Sequence, residues 1–239
     1  MARPLGFVAA GGLAVGVVFL SLAYATGGSA LWRAVDLGLW SGRSCEKTGA
    51  TASERRLKWE GGDTVDIAGF ATVQYRGGEG NEVIVRGAPE AVANVEIQGG
   101  RIALNCHGRD SRAVDITLPG RIFRKMHLSG AGKLFLENLA QPELTLGISG
   151  SGSLQAQGSV DRLTVSISGS GGARMADLAV KQLTLKVAGS GSIEAAPKDA
   201  ADITVSGSAT VRLLTRPERL TTHISGSGRI QQATAVDRK

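Results

Sequence analysis

The chain has 239 residues, with 34 Gly, 6 Pro, 42% hydrophobic residues, 20% charged residues and 4% aromatics. So few prolines exclude a collagen repeat, the aliphatic content excludes wholesale disorder, and the scarcity of rings excludes a core built on aromatic anchors. The net charge is +6; residues 1–120 carry 12 groups of each sign and residues 121–239 carry 15 basic against 9 acidic, but these cations are scattered, without a basic run or interleaved rings, which excludes nucleic acid as a partner class.

From Leu5 to Thr26 the chain reads LGFVAAGGLAVGVVFLSLAYAT, 22 residues without a charge, preceded by Arg3. A helix of about 20 such residues crosses a bilayer. The stretch ends in Ala23-Tyr24-Ala25, a small-x-small pattern that a signal peptidase cuts. Residues 1–28 are therefore expected to form a hydrophobic helix, either a cleaved signal peptide or an uncleaved membrane anchor. Both alternatives export the rest. Cleavage leaves it in the periplasm or at the cell surface, and retention leaves an extracytoplasmic domain on a membrane anchor.

Residues 29–60 read as a linker, in which Trp32 and Trp40 suit either a lipid boundary or packing against the following domain. Cys45 and Cys106 lie 61 positions apart with no CxxC or Cys/His spacing, so no zinc site is indicated. In an exported chain the two are candidates for a disulfide.

Residues 64–118 alternate as short strands at 72–75, 83–85, 95–97, 102–104 and from 114 into Pro119, separated by Gly77-Gly78-Glu79-Gly80-Asn81 and Gly99-Gly100 as turns. Residues 61–120 are expected to be a β cap or irregular first coils, because an exposed coil edge invites aggregation.

The strongest signal follows. Strands ending at a Ser-Gly corner recur as MHLSGAG (126–132), LTLGISGSG (144–152), LTVSISGSG (163–171), LTLKVAGSG (183–191), ADITVSGSA (201–209) and LTTHISGSG (220–228). The last apolar residue before each corner is Leu128, Ile148, Ile167, Val187, Val205 and Ile224, in steps of 20, 19, 20, 18 and 19. Each unit has period 2, with Leu144, Leu146 and Ile148 on one face and Thr145 and Gly147 on the other. A second short strand follows each corner, as at 154–156 and 193–195, before a polar stretch read as a turn, as at 159–162 and 197–199. One unit of about 19 residues is a circuit of two or three short faces. Stacking such units buries aliphatic columns that no single unit could bury alone. The expected fold is all-β: a parallel β-solenoid over 61–232, regular over 121–232, with a tail at 233–239. Gly130, Gly150, Gly169, Gly189, Gly207 and Gly226 are its structural corner glycines.

Thr145, Thr164, Thr184 and Thr221 share one phase of the repeat, with Asp202 in the remaining coil, and form a candidate outward binding ladder. Such a row equally reflects β-propensity on a half-exposed sheet. Ser149, Ser168, Ser206 and Ser225, interrupted by Ala188, read as a second row at the corner. No Ser/His partnership is indicated, since His127 and His223 lie in different coils and His107 is upstream; no metal or cofactor is expected. A polysaccharide-cleaving β-helix would need clustered carboxylates or basic groups and rings for sugar stacking. Here Asp161, Asp177, Glu194, Asp199 and Asp202 fall at differing phases, and Phe135 is the one aromatic from Arg124 onward.

The run Val114-Asp115-Ile116-Thr117-Leu118-Pro119, then Met126-His127-Leu128-Ser129-Gly130-Ala131-Gly132, then the serial Ser-Gly-Ser-Gly corners resembles the putative auto-transporter adhesin, head GIN domain family over roughly residues 64–230. The resemblance implies a right-handed parallel β-helix in the bacterial envelope, with no established enzymatic activity and no catalytic motif to carry over. The expected role is a non-enzymatic adhesion, scaffold or extracytoplasmic binding module. Its expected partners are the membrane, if the apolar segment is retained, and an envelope glycan or protein. The alternatives are a polysaccharide-acting enzyme and a passive spacer or sensor ectodomain.

Overall fold

The computed structural model describes residues 51–69, 71–104 and 114–233. The elements in chain order are β1 (Glu54–Lys58), β2 (Thr64–Ala68), β3 (Ala71–Arg76), β4 (Glu82–Arg86), α1 (Pro89–Ala93), β5 (Val95–Gln98), β6 (Arg101–Leu104), β7 (Val114–Thr117), β8 (Lys125–Gly130), β9 (Lys133–Gly150), β10 (Ser153–Gly169), β11 (Gly172–Gly189), β12 (Ser192–Gly207), β13 (Thr210–Leu213), β14 (Arg219–Gly226) and β15 (Arg229–Gln232). The described residues form a β-solenoid of about five turns.

Each coil turns at a glycine because only a residue without a β-carbon fits there. Gly69, Gly130, Gly150, Gly169, Gly189, Gly207 and Gly226 all have φ between +109° and +131°, a region closed to L side chains. From Gly130 onward they pair coil to coil in register.

Three parallel faces follow from the pairing. The strand before the corner stacks β2, β8, the C-terminal halves of β9 to β12, and β14. The strand after it stacks β3, the N-terminal halves of β9 to β12, β13 and β15. The third face is short, and falls where the sequence reads as a polar turn. Ser159 and Val160 pair with Ala140 and Gln141 on one side and with Ala179 and Val180 on the other, and Pro197 continues the row from Val180. Val160 is buried, so this segment contributes to the core.

The core is a set of aliphatic columns. One runs Ile102, Ile67, Leu128, Ile148, Ile167, Val187 and Val205, each buried, to Ile224 in the last coil, which is 42% exposed. Another runs Val73, Leu134, Leu154, Ala173, Ile193 and Val211. The fall from buried to exposed at β14 reflects a last coil with no described strand beyond it.

The first end is closed differently. Between Arg76 and Lys125 the chain leaves the coil path and adds strands to both faces: β7 pairs parallel with β3, and β6 parallel with β2. Antiparallel strands then finish the edges, β4 on β7, β1 on β4 and β5 on β6. The strands expected at 72–75, 83–85, 95–97, 102–104 and 114–119 correspond to β3 to β7, the last ending at Thr117, and the Gly99-Gly100 pair makes the β5–β6 hairpin, with φ of +54° and +91°. Helix α1 is an addition, started by Pro89 and Glu90 and tied to β1 where Arg55 Nη1 donates to the Val92 and Val95 carbonyls at 3.3 Å.

β1 lies inside the stretch read as a linker, and Trp59 just after it is buried. Trp59 and Tyr75 each meet Phe123 edge to face, with centroids 5.4 and 5.8 Å apart. Trp59 Nε1 donates to the Gly62 carbonyl at 3.1 Å and the Tyr75 hydroxyl to the Arg121 carbonyl at 3.1 Å. This aromatic plug fills the end of the aliphatic interior and satisfies its own polar atoms. The apolar segment 5–26 and both cysteines, Cys45 and Cys106, lie outside the described residues. Among the described residues no helix is long and apolar enough to cross a membrane.

Candidate functional site

The strand before each corner alternates buried Leu, Val and Ile with outward polar residues, so its outer surface is built by register alone. Lys125, Thr145, Thr164, Thr184, Asp202 and Thr221 are in-register neighbours from coil to coil. Thr145, Asp202 and Thr221 are exposed, while Thr164 and Thr184 are half-buried between them. At the strand spacing of about 4.8 Å, three consecutive threonines present hydroxyls and methyls at a fixed repeat.

Two further columns complete this face. Ser129, Ser149, Ser168, Ala188, Ser206 and Ser225 line the corner, and His127, Gly147, Ser166, Lys186, Thr204 and His223 run between the two hydroxyl columns. Gly147 leaves a gap in the middle column: a β-carbon there would collide with the His127 ring, which leans across it. A shallow cleft of about 310 Å³ follows, lined by His127, Ser149, Ser166, Ser168, Lys186 and Ser206.

The same lean brings together a Ser/His pair that the spacing did not indicate. Ser149 Oγ lies 3.3 Å from His127 Nε2, because Ser149 is diagonal to His127 across one coil step. Among the described residues no carboxylate hydrogen-bonds or ion-pairs with the His127 ring. The serine therefore lacks the oriented, charge-stabilised base of a nucleophilic triad. Nor, among the described residues, do three His, Cys, Asp or Glu side chains gather where a metal ion could sit.

Charged side chains pair between coils rather than converging. Glu143 meets Arg162, Asp161 meets Lys181 at 2.8 Å, and Glu194 lies between Arg174 at 3.7 Å and Arg212 at 3.1 Å. The hydrogen bond from Arg162 holds the Glu143 carboxyl below the usual carboxylate range and raises Arg162 in turn. Asp161 likewise raises Lys181. Exposed pairs of this kind add little stability singly.

Among solved structures, similar chains include a putative adhesin from Bacteroides fragilis, 16% identical, covering 75% of this chain and 96% of that one with a TM-score of 0.56. A putative lipid binding protein from Parabacteroides distasonis is 16% identical, with coverage of 77% and 98% and a TM-score of 0.45. A putative adhesin from Parabacteroides merdae is 14% identical, with coverage of 76% and 96% and a TM-score of 0.41. At these identities the first likeness concerns the fold alone. No curated protein matches the chain. The family model described as putative auto-transporter adhesin, head GIN domain, matches residues 63–217, from the start of β2 to just past β13. That match spans the corner glycines from Gly69 to Gly207 together with the end strands β4 to β7, and the chain belongs to this family.

Proposed function

We propose that the protein is an exported, envelope-associated, non-enzymatic adhesion or scaffold module. The observation that carries this reading is the register of the Ser/Thr face. Thr145, Thr164 and Thr184 stand in consecutive coils, one outward column away from the serine column, a surface suited to many weak, equivalent contacts with an extended partner. Family membership supports the same reading. The ion pairs join neighbouring coils and none involves the Ser/Thr columns, so this face offers contact more readily than catalysis.

In this proposal the apolar segment 5–26 delivers the chain across the membrane as a signal or holds it there as an anchor. The coils wind right-handed, the hand that parallel strands joined by crossovers adopt in about 98% of cases. The partner is an envelope glycan or protein reached by the outward columns.

Co-sedimentation of the full chain with insoluble envelope material at about 0.15 M salt and above tests the reading. Saturable binding that survives added salt and weakens when Thr145, Thr164 and Thr184 are together replaced by Glu supports it. Binding that disappears with salt, or that ignores this replacement, removes the Ser/Thr face from the account.

A further inference from the structure

Phe135 points away from the core: Leu134 and Leu136 on either side are buried, while its own ring is half-buried on the outer surface of the face that follows the corner. Its in-register neighbours are Gln74 in one coil and Gln155 in the next, and the column continues as Arg174, Glu194 and Arg212. From Thr117 to Arg212 every other member of this outward column is polar, so core packing does not account for a ring here.

Two clefts meet at that ring. One, of about 440 Å³, extends over Gln74, Arg76, Thr117 and Glu137. The other, of about 380 Å³, extends over Lys133, Ser153, Gln155, Arg174 and Glu194. Their charges differ. In the first, Arg76 is matched by Glu137 at 2.5 Å. In the second, Lys133 and Arg174 stand against the single carboxylate of Glu194, which also pairs with Arg212 outside the lining, and Lys133 has no acidic partner among the described residues. The second cleft therefore carries a positive excess beside the half-buried Phe135 ring.

We propose that these clefts form a subsite for a carboxylate-bearing polysaccharide. The apolar face of one sugar stacks on Phe135, whose electron-rich face suits the polarised C–H groups of a pyranose. The Gln74 and Gln155 amides flank it, each offering both donors and an acceptor to sugar hydroxyls. A uronate carboxyl on the adjoining sugar meets Lys133 and the Arg174 guanidinium, whose partner Glu194 is shared with Arg212. The inference rests on the binding-module reading above and deepens it by naming a ligand class and a second face.

Titration of the full chain with polygalacturonate, at about 0.15 M salt, tests this against carboxyl-reduced polygalacturonate as the neutral probe. Saturable binding to the acidic polymer, weaker for the neutral one, is expected. Phe135→Leu keeps an aliphatic side chain in the strand but removes the ring, and should weaken binding about tenfold with an unchanged melting temperature. Phe135→Tyr should retain it. Lys133→Gln should weaken binding about threefold and narrow the difference between the two polymers. Wild-type affinity in Phe135→Leu, or equal binding of both polymers, overturns the subsite. Failure to bind polygalacturonate while still binding envelope material overturns the subsite and leaves the binding module standing; failure to bind either overturns both.

Discussion

Gly150 lies so close to Gly130 of the preceding coil that a β-carbon on it would come within 2.6 Å of the Gly130 carbonyl oxygen. With φ at +109°, Gly150 is also in a conformation that side chains resist. Gly150→Ala is therefore expected to destabilise the solenoid by about 1–3 kcal/mol through backbone strain alone, with the collision adding to it. Denaturant unfolding measures this, with the exposed Ser151→Ala as the neutral comparison.

The aliphatic columns predict a gradient. Ile167 is buried between Ile148 and Val187, whereas Ile224 in the same column is 42% exposed. Ile167→Ala should cost about 2–5 kcal/mol, as large-to-small core changes do. Ile224→Ala should cost less than about 1 kcal/mol, because little apolar area is lost. Equal losses in thermal or chemical unfolding would contradict the stacking order.

Gln141 is the one polar residue among the buried side chains described, 8% exposed in the row that continues as Val160 and Val180. Its amide nitrogen donates to the Phe123 carbonyl at 2.9 Å and to the Glu143 carbonyl at 2.7 Å, joining the aromatic plug to the first full coil. Gln141→Val imitates the neighbouring coils yet leaves the Phe123 carbonyl unpaired. A loss of about 1–3 kcal/mol is expected in equilibrium unfolding despite the better apolar match.

Acid should loosen the outer ion pairs. The folded Glu143 carboxyl sits below its ordinary value of 4.5, chiefly through the hydrogen bond from Arg162. The unfolded chain then binds more protons in the interval between the two values. The contribution is present above the unfolded value and is lost as pH falls through the folded one. Glu54, lowered by Arg86 and Arg56, behaves alike. Melting temperature should decline as pH drops below about 4.5, with a shallower decline in Glu143→Gln.

The corner glycines and the columns beside them were legible because each is written once per coil at a fixed phase, so chain-local alternation and long-range stacking carry the same information. The third face was not. Ser159 and Val160 are too few for alternation to show, and their strand character comes only from neighbours in adjacent coils. Trp59 was hidden for a similar reason, since its burial depends on Phe123, far along the chain. Helix α1 did leave a local trace in Pro89 followed by Glu90, ahead of Ala91 and Val92. Of the candidate site, the threonine row was legible as a phase. The contact between Ser149 and His127 was not, because it needs both the register and the missing side chain at Gly147.

The central claim, attachment without turnover, is tested most directly by incubating the full chain with envelope polysaccharide while following bound protein and new reducing ends in the same sample. Saturable binding with no growth of reducing ends over time is the predicted result. Reducing ends that accumulate in proportion to protein, or the absence of saturable binding, would contradict it.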